Sequence, residues 1–128
     1  MKFIGKKGIS RKGVVKKLDS LVSKIVQARD KKCATCSSIY KLGCGHLFSR
    51  IAYSTRWDLD NCHCQCWSCN FKHTYDTYPY FEWYRDKFGE KAFDALHRKF
   101  VTPQKFKTYE LLEMYQVLYD EWSSKIDL

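Results

Sequence analysis

Seven cysteines carry the clearest chemical pattern in this 128-residue chain, and four of them form two C-x-x-C pairs. Cys33 and Cys36 form the first pair and Cys66 and Cys69 form the second, with 29 residues between the two pairs. Each pair presents two thiolates from a tight turn, and four thiolates complete a tetrahedral Zn²⁺ site with no open position. The spacing therefore predicts a structural zinc site, with a redox pair or an iron–sulfur cluster as the alternative.

The other three cysteines, Cys44, Cys62 and Cys64, have a simpler interpretation as small buried side chains, which is the commonest environment of free cysteine. In the stretch "NCHCQC" the cysteines fall at every second position and would share one face of an extended segment. We expect Cys62 and Cys64 to point into the core. Competition with the two pairs for zinc is the alternative.

Polar residues inside and just after the paired cysteines form a second candidate site. His46 ends the segment "GCGH", and Asn70 directly follows the last cysteine. The first pair can lead into a strand, from which the chain returns as a second strand before Cys69 starts a helix. In that arrangement the side chains of His46 and Asn70 converge. A neutral histidine can take a proton from water, and a side-chain oxygen can help hold a hard divalent cation opposite a phosphate. Taken singly, each also has a structural explanation, since Asn70 can serve as a helix cap.

Helical patterns surround this segment on both sides and would position it. Val14, Leu18, Leu21 and Ile25 recur at the spacing of an amphipathic helix, with Ser10 as its N-cap. From the second cysteine pair onward the pattern predicts four helices: one over 68–78, one from Pro79 to a C-cap at Gly89, one over 90–100 and one over 108–125.

The excess positive charge lies entirely in the N-terminal quarter. Residues 1–32 contain 11 Lys and Arg against two Asp, whereas the other 96 residues contain 12 basic and 12 acidic side chains. A basic segment on a neutral body suits a polyanion, because Lys and Arg contacts with phosphates release counterions. We expect Lys12, Lys16 and Lys17 to contact a DNA backbone. For residues 1–9 a solvated basic tail is an equal alternative.

The composition excludes several classes of protein. A hydrophobic content of 45% and an aromatic content of 16% indicate a folded domain. The N-terminus has no apolar signal region, and no stretch approaches the ~20 apolar residues of a membrane span. We therefore expect a cytoplasmic protein with no membrane partner, in a compartment where cysteine clusters bind metal more often than they form disulfides. A zinc deaminase is disfavoured because no H-x-E is paired with P-C-x-x-C.

The segments "VQARDKKCATC", "GCGH" and "RWDLDNCHCQCWSCN" resemble the HNH, or ββα-metal, nucleases, and more finely the bacteriophage NinG/Rap recombination nucleases. The resemblance covers residues 16–125 and includes Arg29, Asp30, His46, Arg56, Asn61, His63, Gln65 and Asn70. It implies a metal-dependent endonuclease that acts on branched recombination intermediates, such as four-way Holliday junctions or D-loops. It also implies a phage or prophage protein that works in the bacterial cytoplasm.

The same resemblance implies roles for individual residues. His46 is the general base that activates water, Asn61 orients that water or steadies the loop, and Asn70 is a ligand of a catalytic Mg²⁺ or Mn²⁺. Arg50 and Arg56 are close enough in sequence to flank the scissile phosphate, which suits a guanidinium. Surface salt bridges are the equal alternative for both arginines.

One departure from the family pattern affects the catalytic metal. Many HNH enzymes carry an acidic metal ligand directly before the histidine, where this chain has Gly45. The second metal ligand is therefore open. Asp76 is the first candidate, and His73 is the second because it lies three residues after Asn70 on the same helical face.

The sequence thus predicts a mostly helical α+β protein with a zinc-stapled ββα-metal (HNH, treble-clef-like) core, flanked by an N-terminal helix and C-terminal helices. A single nuclease domain would span 1–128, with a basic segment and helix over 1–32, the ββα core over 33–78 and a helical part over 79–128. A four-way junction needs two symmetric incisions, which makes a homodimer a reasonable hypothesis. The alternatives are a general or nicking HNH endonuclease, and a zinc-stabilised DNA-binding module without catalysis.

Overall fold

The computed structural model describes residues 9–128, so residues 1–8 of the proposed basic tail lie outside the described part. Its elements in chain order are α1 (Arg11–Asp30), β1 (Leu42–His46), α2 (Tyr53–Arg56), β2 (Cys62–Cys66), α3 (Trp67–His73), α4 (Tyr78–Phe88), α5 (Glu90–Val101) and α6 (Thr108–Trp122). The predicted mostly helical α+β class is confirmed. None of the helices in this range is long and apolar enough to cross a membrane.

Helix α1 begins and ends where local chemistry requires. The Ser10 side chain accepts a hydrogen bond from the Gly13 amide at 3.0 Å, which caps the first turn. At the other end Lys31 adopts a left-handed conformation with φ of 66° and donates its amide to the Gln27 carbonyl. The predicted apolar stripe is buried along the whole helix, which packs on the sheet and on α6.

Strands β1 and β2 form an antiparallel two-stranded sheet in which His46 lies opposite Cys62 and Leu42 lies opposite Cys66. Cys62 and Cys64 have no exposed surface and belong to the core that α1 covers, which confirms that they point inward. His63 and Gln65 on the opposite face are buried as well. The sheet is therefore covered on both faces.

Helix α3 follows β2 without a loop and is shorter than the sequence pattern predicted. It begins at Trp67, where the Cys66 thiol accepts from the Cys69 amide, and it ends at His73 instead of residue 78. The reason is that the Asp76 side chain bonds towards the next helix, since it accepts a hydrogen bond from the amide of Tyr78, the first residue of α4, at 3.2 Å. Pro79 then occupies the first turn of α4, as predicted.

Helices α4 and α5 form a second apolar cluster with the segment that follows β1. Gly89 ends α4 with φ of 94°, a value that L side chains rarely adopt, and α5 starts at the next residue. The buried members of this cluster are Leu47, Phe48, Tyr80, Tyr84, Phe93 and Leu96. Helix α6 packs against α1 and ends at Trp122, three residues before the predicted end.

An ion pair at the C-terminal end of α1 fixes the position of β2. The Arg29 guanidinium binds Asp30 at 2.7 Å and donates to the Cys62 carbonyl at 2.7 Å. The Asp30 carboxylate in turn accepts from the Cys64 amide at 2.9 Å. Burial raises the pKa of Asp30, but the hydrogen bonds from Arg29 and Cys64 outweigh it and lower that pKa overall. The Arg-Asp motif therefore has a structural role in this fold.

Candidate functional site

Four cysteine thiols converge at the junction of the first turn, β2 and α3. The Sγ atoms of Cys33, Cys36, Cys66 and Cys69 all lie within 4.8 Å of one another. The first pair is held in a tight turn, in which the Cys33 amide donates to the Ser38 carbonyl at 2.8 Å. Four soft sulfur donors and no competing carboxylate make this cluster compatible with a structural zinc site.

The pKa values of two thiols in the cluster are shifted in opposite directions. Burial raises the pKa of Cys33, but hydrogen bonds from the Thr35 hydroxyl and nearby amides lower it to about 6. Burial, with hydrogen bonding to the other thiols of the cluster, instead raises the pKa of Cys69 to about 12. Without a cation, therefore, the four thiols do not all ionise near neutral pH. A bound divalent cation favours the deprotonated form of all four thiols, because it neutralises the charge of the thiolates.

A groove of about 1350 Å³ opens between the end of β1, the segment after it and α3. Four of the residues predicted for catalysis, the catalytic metal or DNA line this groove: His46, Asn70, His73 and the exposed Arg50. The other residues predicted for these roles are not part of the lining: Asn61, Asp76, Arg56, Lys12, Lys16 and Lys17.

The His46 ring is held by a hydrogen bond to the backbone, which determines which ring nitrogen carries the hydrogen. Its Nε2 lies 2.9 Å from the carbonyl oxygen of Arg56. A carbonyl can only accept, so Nε2 carries the hydrogen and Nδ1 keeps the lone pair. Burial lowers the pKa of His46 below its ordinary value, which keeps the ring neutral at neutral pH. The chemistry available at this position is therefore that of a proton acceptor.

His73 has the same arrangement and leaves one nitrogen unpaired. Its Nε2 donates to the Leu47 carbonyl at 2.9 Å, while the buried Nδ1 has no hydrogen-bond partner within residues 9–128. A buried polar atom without a partner lowers the stability of the fold by about 1–3 kcal/mol. A ligand that accepted this lone pair would remove that penalty. Asn70 lies one turn earlier on the same side of α3 and lines the same groove. An amide oxygen and an imidazole nitrogen are a donor set that fits one divalent cation.

The packing around Gly45 explains why no acidic residue precedes His46. A Cβ atom at this position would lie 2.8 Å from Cγ of Gln65, a distance that real Cβ atoms essentially never show. The Gly45 carbonyl also accepts a hydrogen bond from the Tyr80 hydroxyl at 2.7 Å. Position 45 thus faces a filled core, and a metal ligand cannot come from there.

Asn61 and Asp76 have their side chains engaged away from the groove. Asn61 is fully buried, donates to the Phe48 and Thr55 carbonyls and accepts from the Phe48 amide. These bonds correspond to the role of steadying the loop and not to that of orienting water. The Asp76 carboxylate accepts from the amide of Tyr78, the first residue of α4, as described above.

The two predicted arginines differ in exposure. The Arg56 guanidinium binds Asp19 of α1 through two nitrogens, at 2.6 and 3.0 Å, and only 12% of its side chain is exposed. Arg50 reaches the same carboxylate at 3.4 Å but leaves 62% of its side chain exposed. Burial raises the pKa of Asp19, and the hydrogen bonds from Arg56 and Trp57 more than offset this and lower it. Arg56 therefore forms the salt bridge given above as its alternative, whereas Arg50 keeps a free edge at the groove.

Exposed aromatic side chains along the groove were missed at the sequence level. Trp67 and Phe71 lie one helical turn apart on α3 and are 76% and 69% exposed, and Tyr40 beside them is 73% exposed. Lys41 lies over the Trp67 ring at 5.9 Å. Their spacing was readable in the sequence, but aromatic residues at helical spacing usually indicate core. Only the fold reveals that this face has no partner in the described chain.

These observations define a small α+β protein with a two-stranded sheet and a four-cysteine cluster suited to zinc. The chain belongs to the NinG family, since the family described as Bacteriophage Lambda NinG protein matches residues 5–124. The NinG family assignment drawn from the sequence motifs is thereby confirmed. Neither a curated protein nor a solved structure matches the chain significantly.

Proposed function

We propose that this protein is a metal-dependent DNA endonuclease of the HNH type that cuts branched recombination intermediates, such as four-way Holliday junctions and D-loops. The observation that carries the proposal is the groove in which His46, Asn70 and His73 meet. It combines a neutral histidine whose Nδ1 keeps its lone pair with a second histidine whose buried Nδ1 has no partner in the described residues 9–128. Membership of the NinG family supports the same assignment.

In the proposed reaction the chain positions a water molecule and accepts its proton. The Arg56 carbonyl holds the His46 ring through Nε2, so that Nδ1 is the atom that takes the proton. Asn70 and His73 would hold one Mg²⁺ or Mn²⁺, which supplies electrostatic stabilisation of the phosphate and the leaving oxygen when bound. Arg50 lines the groove with its exposed guanidinium and suits contact with a phosphate.

The basic residues of α1 extend this surface towards a DNA backbone. Arg50 bonds to Asp19 of α1, and Lys12 and Lys16 lie on the same side of that helix as Asp19. Both lysines are exposed, whereas Lys17 lies on a different side of the helix. Lysine contacts with phosphates hold DNA without reading its sequence, which suits a substrate recognised by shape.

The exposed aromatic face of α3 favours DNA with unpaired or splayed bases. Trp67 and Phe71 line the groove, and the exposed Tyr75 continues the row, with its ring 5.8 Å from that of Phe71. Every base has a π-face, so aromatic rings stack on unpaired bases with little sequence preference. A D-loop carries unpaired bases, and the branch point of a four-way junction interrupts the base stacking that a linear duplex keeps continuous.

A homodimer belongs to the same proposal because a four-way junction needs two symmetric incisions. Exposed apolar residues on α6, including Tyr109 and Val117, offer a surface for a second copy. Sedimentation of the protein alone and with one equivalent of junction tests this. We expect two chains per junction, and a single chain in both samples would contradict the dimer.

The decisive experiment compares a labelled four-way junction with a linear duplex of matched sequence. Both are incubated with Mg²⁺ or Mn²⁺ and with EDTA, using the wild type, His46→Ala and, as a matched control, His97→Ala. His97 is an exposed histidine of α5 that does not line the groove. We expect metal-dependent cutting of the junction, lost only in His46→Ala. Equal cutting of both DNAs would indicate a general or nicking endonuclease, and binding without cutting would indicate a zinc-stabilised DNA-binding module.

A further inference from the structure

A second group of metal-ligating side chains lies at one end of the sheet, apart from the four-cysteine cluster. The donor atoms of Cys44, His46 and Cys62 all lie within 4.8 Å of one another. The strand register explains why they meet: His46 lies directly opposite Cys62, and Cys44 is two residues before His46 on the same face of β1. The sequence separates these residues by up to 18 positions and gives no C-x-x-C signal for them.

The surroundings of this group leave one side accessible. Cys62 is fully buried, and its thiol lies 3.4 Å from the Arg56 carbonyl. Cys44 and His46 are half-buried and line the groove. A cation held by the three residues would therefore be backed by the core and keep a coordination position towards the groove. Two thiolates and one imidazole suit zinc and other thiophilic cations, whereas Mg²⁺ and Ca²⁺ prefer oxygen.

We propose that Cys44, His46 and Cys62 form a second metal site, specific for Zn²⁺ or another thiophilic cation, whose occupation inhibits the enzyme. The cation takes the place of the two thiol protons, which pass to solvent, and no electron is transferred. The inhibition rests on the proposed function, because it requires His46 to be the general base. The binding itself does not.

Coordination removes the proton acceptor whichever imidazole nitrogen is used. A cation bound at Nδ1 occupies the lone pair that would accept the proton from water. A cation bound at Nε2 displaces the hydrogen bond to the Arg56 carbonyl and leaves the ring proton on Nδ1. In either case His46 has no free lone pair, so zinc and water activation exclude each other.

Metal stoichiometry tests the site without reference to activity. The protein is kept reduced with a phosphine, equilibrated with excess Zn²⁺, dialysed and analysed for zinc per chain. We expect two zinc ions in the wild type and one in Cys44→Ala and Cys62→Ala. Cys64→Ala is the matched control, since Cys64 is an equally buried cysteine of β2 outside the group, and it should retain two.

Titration with Co²⁺ identifies the ligands. The second equivalent should add a ligand-field spectrum with weaker thiolate charge transfer than the first, and this increment should be absent in Cys44→Ala and Cys62→Ala. One zinc ion in the wild type would overturn the proposal. So would a second ion that Cys44→Ala and Cys62→Ala retain.

Cleavage assays then separate the failure of this inference from the failure of the proposed function. In Mg²⁺, zinc beyond the first equivalent should reduce wild-type cleavage by about a hundredfold, within the range that a general base contributes. Cys62→Ala should resist that zinc. Full wild-type cleavage with two zinc ions bound would overturn the inhibition. If no protein cuts DNA even without excess zinc, the nuclease proposal fails, and the stoichiometry still decides the metal site.

Discussion

Two histidines of the groove owe their chemistry to backbone carbonyls that the sequence does not identify. His46 and His73 each donate Nε2–H to a carbonyl at 2.9 Å, from Arg56 and Leu47 respectively. Each bond fixes the tautomer and leaves Nδ1 with the lone pair. The residue types predicted a base and a possible ligand. Which nitrogen is available depends on how two loops fold back, and no sequence spacing encodes that.

Replacement of His73 should weaken the catalytic cation more than replacement of Asp76. His73→Ala removes an Nδ1 that has no partner in the described part of the chain and that we propose as a ligand. We therefore expect Mn²⁺ affinity to fall by at least about tenfold and cleavage to fall with it. Asp76→Asn should leave Mn²⁺ affinity unchanged, because that carboxylate does not line the groove and accepts from the Tyr78 amide instead. Calorimetric titration of the zinc-loaded variants with Mn²⁺ measures both. The reverse ranking would make Asp76 the ligand.

His63 should make the stability of the fold depend on pH. Its Nδ1 accepts from Arg29, its Nε2 donates to the Asp60 carbonyl, and burial lowers its pKa from the ordinary 6.5 to about 4. The unfolded chain therefore binds more protons than the folded one between these values. The contribution is fully present above pH 6.5 and is lost as pH falls towards 4, by up to about 1.4 kcal/mol per pH unit.

Urea unfolding of zinc-saturated protein between pH 7 and pH 5 measures this loss, with His63→Phe as the comparison. Phenylalanine fits among the surrounding rings of Tyr80, Trp83 and Tyr84 but does not titrate. The slope of stability against pH should become shallower in the variant. Some slope should remain, because burial also lowers the pKa of His46. An unchanged slope would assign the pH dependence to other groups.

At the scale of elements, the sequence predicted the ends of helices correctly where a capping residue or a glycine determines them. Ser10 and Gly89 are such residues, and the ends that they mark are where the sequence placed them. The predicted end of α3 was wrong because Asp76 fits the pattern of a helix interior. In the structure its side chain instead accepts a hydrogen bond from the first amide of α4. Likewise, the C-x-x-C spacing gave the four-cysteine cluster, whereas the group of Cys44, His46 and Cys62 depends on strand register and was not predictable.

The exposed face of α3 yields a prediction about substrate choice. Trp67→Ala and Phe71→Ala should each weaken binding of a four-way junction by about 1–3 kcal/mol, the usual contribution of one stacked base. Stability should change little, since both side chains are largely exposed. Tyr78→Ala on α4 is the control, an aromatic residue 67% exposed that does not line the groove. Fluorescence anisotropy with labelled junction and duplex measures the effect, and an equal loss on both DNAs would argue against base stacking.

On the scale of the whole molecule, the four-cysteine cluster joins the turn after α1 to the start of α3. Cys33 and Cys36 follow α1, whereas Cys66 and Cys69 lie at the start of α3, and the Cys36 and Cys66 sulfurs are 3.7 Å apart. A metal at this point would hold the turn after α1 against the helix that lines the groove. Zinc bound there would therefore couple the site to the fold.

This coupling makes an exposed residue essential for stability. Cys36 lies on the surface, where substitutions ordinarily change stability by at most about 0.5 kcal/mol. As a zinc ligand its replacement should cost far more, because metal binding energy is folding energy. We expect Cys36→Ser to lower the free energy of unfolding by about 2 kcal/mol or more and to remove the sensitivity of the wild type to a strong chelator. Thermal unfolding with and without chelator measures both, and Ser68→Ala, an exposed position inside the second C-x-x-C, is the control. A wild type that unfolds at the same temperature with and without chelator would show that the cluster does not depend on metal.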